Sequence, residues 1–178
     1  MKLKSVYLGG AFAVTLLIAA CTKDEDNKTS DVVNTQDSTF LLQASQSNQA
    51  EIALGTMALT KATNDSVRNF AQMMISDHTS AQSDLVSVVN NISANVNFTD
   101  SLSAEQIAMR DSLQQLSGNA FDSAYIAGQV RAHQQTLQAI DAEIGNGSNT
   151  RVKAYATDKR PNIEAHLNLA DSIYARSY

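Results

Sequence analysis

The chain lacks tryptophan and carries one proline, one cysteine, seven glycines and three histidines among its 178 residues. With one cysteine, no disulfide can close within the chain. Neither a glycine-rich phosphate loop nor a G-x-S-x-G elbow occurs, which removes the usual signatures of phosphate cradling and of serine nucleophiles. No segment alternates apolar and polar residues for long, so strands are not expected. Thirteen basic residues stand against eighteen acidic ones. No basic stripe with interleaved aromatics offsets that acidity, so nucleic-acid binding is not expected. Met57, Met73, Met74 and Met109 read as core filler.

The N-terminus supplies an address. "MKLKSVYLGGAFAVTLLIAAC" has two lysines, an uncharged apolar run from Val6 to Ala20, then small residues before Cys21. This is the pattern of an export signal. The run is too short and too glycine-interrupted for a membrane-spanning helix, which takes about 20 apolar residues. "IAAC" resembles the lipobox of bacterial lipoproteins, which implies that residues 1–20 are removed and that Cys21 is lipidated and holds the protein to a membrane. Loss of Lys2 and Lys4 takes the thirteen basic residues to eleven against eighteen acidic, a formal charge of −7. "TKDEDNKTSDVVNTQDS" (22–38) has little to bury and reads as a solvated tether. Its "KDE" resembles the surface-export signal of some bacterial lipoproteins; an ordinary acidic linker is the alternative. An outer-membrane lipoprotein, periplasmic or surface-exposed, is expected.

The remainder, 39–178, fits one helical domain. At 100° per residue, four long segments gather apolar residues on one arc: about 39–63, with Asp37 or Ser38 as cap; from the "NDS" at 64–66 to about 90; about 120–144; and about 150–175, interrupted by Pro161. Pro161 lacks an amide hydrogen, so a kink is expected there. Between the second and third segments, "SAEQIAMRDSLQQL" predicts a short helix capped by Ser103 and closed by Gln106 in a capping box. So long a link suits a crossover along the length of a bundle. "NDSVRNFA" (64–71) and "NTRVKAYA" (149–156) align at a spacing of 85 residues, which suggests two repeated helical hairpins.

Polar residues interrupt the apolar arcs. Glu51 is rotated about 20° from Phe40, eleven residues earlier, and His78 lies about 20° from Val67; His133 and His166 also fall inside their arcs. Counted from the turns, Glu51, His78 and His133 lie at one level and His166 about 7 Å away. One carboxylate and three imidazoles from four helices make a candidate mononuclear site for a divalent ion such as zinc, iron or copper. Asn48 and Asp77, at or near the same arcs, are candidates to orient the ligands. The alternative is that each histidine is a buried polar group bonded to a neighbour, with Glu51 paired to His78 or His133.

The blocks "FLLQASQSNQAEIALGTMALTKATNDSVRNFAQMMISDHTSAQSDL", "FDSAYIAGQVRAHQQTLQAI" and "RPNIEAHLNLA" occur in order and resemble an exported bacterial family, domain of unknown function 4142. The resemblance covers about residues 38–175. It implies an all-α, ferritin-like antiparallel four-helix bundle with a long crossover between the second and third long helices. Family members commonly carry an acidic residue before each histidine; here those positions hold Asp77, Ala132 and Ala165. Paired Glu-x-x-His motifs of di-iron ferritins are missing, since Gln82 follows His78 by four and Glu164 precedes His166 by two, so ferroxidase chemistry is not expected. Two functions stand open: a non-enzymatic, lipid-anchored domain that binds an unidentified protein partner or serves the envelope under stress, and a mononuclear metal binder through Glu51, His78, His133 and His166.

Overall fold

The computed structural model describes residues 32–92, 96 and 98–178; the export signal and Cys21 lie outside the described residues. These form five helices, α1 (Thr35–Lys61), α2 (Asp65–Asn90), α3 (Ala104–Gln114), α4 (Gly118–Asn146) and α5 (Thr150–Ser177), with no strand among the described residues. None of the described helices is long and apolar enough to cross a membrane.

Short polar side chains start the helices. Asn64 and Asn149 cap α2 and α5 by accepting backbone amides, and Ser103 and Gln106 form the expected capping box on α3. α1 begins four residues earlier than the sequence pattern placed it. Its cap is Asn34, and Asp37 closes the box from inside the first turn. Residues 34–38, which the sequence pattern gave to the tether, therefore belong to this helix and its cap. Asp37 is fully buried because its carboxylate also accepts the amides of Ser148 and Asn149 at 3.0–3.2 Å, tying the start of α1 to the α4–α5 turn. At the other end of the molecule the buried carboxylate of Asp122 on α4 accepts the amides of Thr63 and Asn64 and the Thr63 hydroxyl, at 2.6–3.1 Å.

The two clamps obey the internal repeat. Asp122 follows Asp37 by 85 positions, and Asn149 follows Asn64 by 85, the spacing of the aligned octapeptides. Each hairpin thus lends an aspartate to the turn of the other. α1 packs mainly on α2 and α4 mainly on α5, and the α1–α4 and α2–α5 contacts join the pairs. The chain crosses from α2 to α4 through residues 91–117, which include α3.

Two apolar clusters result. One gathers Phe70, Met74, Phe121, Tyr125, Ile126 and Ile173; the other gathers Phe40, Leu41, Leu85, Ile140, Val152 and Tyr155. Leu59, an apolar residue of the first segment, is 37 % exposed, because it is rotated about 100° from Phe40; Leu54, about 40° away, is buried. α5 runs as one helix through Pro161. Among the buried residues outside the two clusters are Asn48, Glu51, His78, Gln82, Gln129, His133 and His166, a buried polar layer in the midsections of the four long helices. Burying polar groups there costs stability unless each finds a partner.

Candidate metal centre

Three of the four expected ligands meet. His78 on α2, His133 on α4 and His166 on α5 are 2 %, 2 % and 4 % exposed, and their ring centroids lie 5.5–5.9 Å apart. One ring nitrogen from each falls within 4.8 Å of the others. Three points at that limiting separation lie on a circle of about 2.8 Å radius; a metal held by imidazoles at about 2.0–2.1 Å would draw them in by under 1 Å. The expected offset of His166 is not found. A helical side chain leans toward the N-terminus of its own helix. His166 therefore leans back toward the α4–α5 turn while His133 leans away from it, and the two converge.

Each imidazole uses its other nitrogen in a hydrogen bond to an oxygen. His78 Nδ1 donates to Asn48 Oδ1 (2.9 Å), His133 Nδ1 to the Gln129 carbonyl (2.9 Å) and His166 Nε2 to Asp77 Oδ2 (2.9 Å). A carbonyl and a carboxylate accept only, which assigns the ring protons to those nitrogens in the neutral tautomers. Asn48 is oriented by its own amide, which reaches Gln82 Oε1 at 3.2 Å and the Tyr155 hydroxyl at 3.4 Å. The remaining nitrogens, His78 Nε2, His133 Nε2 and His166 Nδ1, are buried lone pairs with no hydrogen-bond partner among the described residues. This is the arrangement by which proteins fix histidine ligands, an oxygen acceptor behind each ring and a bare nitrogen in front.

Electrostatics disfavour charge on two of the rings. Burial drives the His78 pKa down to about 3, reinforced by His133 and His166. Burial also lowers His166, against the pull of Asp77 upward. Neutral imidazole is the form that ligates.

Glu51 is buried as expected but stands outside the group of three. It lies beside His133 and Gln129; burial raises its carboxyl pKa, and both neighbours oppose the rise. The charge of Glu51 in turn adds to burial in pushing the Tyr125 phenol up. Glu51 Oε2, Gln129 Oε1 and the Tyr125 hydroxyl have no hydrogen-bond partner among the described residues. Asn48 and Asp77, which the sequence suggested beside the histidines, hydrogen-bond His78 and His166. Gln82 and Gln129 were not singled out, although one follows His78 by four and the other precedes His133 by four, so each shares its histidine's face.

A cavity of about 120 Å³ borders His78, His166, Asn48, Asp77 and Lys159. A groove of about 730 Å³ opens between α1, α3 and α4, and Glu51 and Gln129 line it.

Among curated proteins none matches this chain. Among solved structures, the chain resembles the crystal structure of a DUF305 fragment from Deinococcus radiodurans, with a TM-score of 0.70 at 12 % identity over 81 % of this chain and 98 % of that one. At that identity the likeness shows the helical fold alone. The sequence matches the family described as Domain of unknown function (DUF4142) over residues 22–173. The chain therefore belongs to the DUF4142 family.

Proposed function

We propose that this protein is a mononuclear metal-binding lipoprotein of the bacterial outer envelope, built as a ferritin-like four-helix bundle with α3 in the crossover and anchored through lipid on Cys21. His78, His133 and His166 hold the ion. The observation that carries this reading is the set of three buried, unpartnered ring nitrogens, each backed by an oxygen acceptor. An unpaired buried acceptor costs about 1–3 kcal/mol, so three in one cluster are a standing penalty that a cation bound by all three would remove. Three nitrogen donors suit zinc, copper or iron and leave a fourth position free. The test is elemental analysis of protein purified without chelator. One metal ion per chain, lost in His133→Ala, is expected. Substoichiometric metal in the wild type would return the protein to the other reading, an anchored helical domain that binds a partner without an ion.

A further inference from the structure

The groove between α1, α3 and α4 is much larger than the cavity beside His78 and His166, about 730 Å³ against about 120 Å³. Small residues line it, Ala50 on α1 and Gly128 and Ala132 on α4, where larger side chains would fill the space. The Met109 side chain from α3 occupies the place a β-carbon at Gly128 would need, so α3 roofs the groove by resting on bare α4 backbone.

Two of the lining residues, Glu51 and Gln129, each carry a buried oxygen beneath the groove surface, Oε2 and Oε1, with no hydrogen-bond partner among the described residues. Glu51 is 3 % and Gln129 1 % exposed. Both oxygens are acceptors that a cation or a donor would satisfy. Both also adjoin the centre: Glu51 interacts with the His133 ring, and the Gln129 carbonyl holds His133 Nδ1. Glu51 and Gln129 thus stand between the groove and His133.

The smaller cavity, which shares Ala44, Ser47 and Thr136 with the groove, meets the centre at the Asn48–His78 and Asp77–His166 hydrogen bonds, which an incoming ion would have to break. The groove has a carboxyl group at its floor, and its walls hold one charge of each sign, Glu105 and Arg131.

We propose, resting on the metal-binding reading above, that this groove is the entrance by which a divalent transition-metal ion reaches the three imidazoles, and that Glu51 and Gln129 receive the ion at its floor. An organic ammonium would satisfy the same two acceptors but could not pass on to the imidazoles. Loading of the centre is therefore the readout.

Metal-free full-length protein is mixed with Co(II) by stopped flow, and the d–d absorption of the loaded centre is followed. Glu51→Gln keeps the shape and removes the carboxylate; it should slow loading by about tenfold, the lower end of what a supporting residue contributes at a metal site. Gln135→Trp plugs the groove from an exposed position and should slow loading comparably. Ser80→Phe, in the wall of the other cavity, should load at the wild-type rate. Circular dichroism and urea unfolding check that each variant is folded.

Wild-type rates in both groove variants, or a slow Ser80→Phe, would overturn the entrance while leaving the metal centre standing. Faster release with unchanged uptake in Glu51→Gln would make Glu51 a permanent ligand and overturn its receiving role. A wild-type protein that takes up no Co(II) would remove the centre itself, and the entrance with it.

Discussion

Replacing Glu143 by Gln should make the protein more stable as the pH rises. Glu143 is fully buried near the end of α4, and Gly147 leaves room for its carboxyl group. No donor meets either of its oxygens among the described residues. Beside it lies Asp37, whose own pKa is affected first by burial, upward, but falls on balance because the amides of Asn34, Ser148 and Asn149 and the neighbouring Glu143 favour its charged form. Burial, then the adjacent Asp37, push Glu143 up to about 8, with Gln36 and Lys153 opposing. The folded protein thus holds a proton that the unfolded chain releases near 4.5, and stability falls as pH rises from about 4.5 through 8. At 1.36 kcal/mol per unit the loss between pH 5 and pH 8 is at most about 3–4 kcal/mol. Relaxation of the turn and entry of water reduce it to roughly half. A Gln amide donates to Asp37 as the protonated acid does and does not titrate. Urea unfolding of both proteins at pH 5, 6, 7 and 8 should show near-equal stability at pH 5 and a gap of about 2 kcal/mol or more at pH 8, in favour of the variant. A gap independent of pH would refute the shared proton.

Asp122→Ala leaves the amides of Thr63 and Asn64 without their acceptor and should cost about 2–3 kcal/mol in urea unfolding; a loss under about 0.5 kcal/mol would mean the clamp is idle. In metal-free Glu143→Gln protein, where the Glu143 proton no longer offsets it, stability should fall on acidification from pH 6.5, because His78 titrates near 6.5 unfolded and only at about 3 folded. His78→Leu should flatten that acid limb, and an unchanged slope would contradict a neutral buried ring. A metal present at a hundred times its dissociation constant should stabilise the wild type by about 2.7 kcal/mol in thermal unfolding. His133→Ala should show no such gain.

Much of the centre was legible because helical rotation is arithmetic. Placing His78 about 20° from Val67 and Glu51 about 20° from Phe40 was enough to put both inside, and both are buried. Caps were legible where a short polar residue precedes an apolar run, as at Ser103 with Gln106. Heights were less so, since counting residues from a turn ignores the lean of each side chain, and His166 came out misplaced for that reason. The buried acids were the hardest. An aspartate near a helix start reads as solvated unless its distant acceptor role is known, and Asp37 and Asp122 serve turns more than 50 residues away. The 85-residue repeat held the clue, because it pairs the two aspartates as it pairs the two capping asparagines. Glu143 has Ala58 as its counterpart in the repeat, so nothing in the first hairpin pointed to it.

The central claim is that three imidazoles from α2, α4 and α5 hold one ion. X-ray absorption at the metal edge, on protein purified without chelator, measures this directly. Three imidazole nitrogens at about 2.0–2.1 Å, falling to two in His166→Ala, are what the geometry predicts. An edge showing only oxygen neighbours, or a first shell that the loss of His166 leaves unchanged, would contradict it.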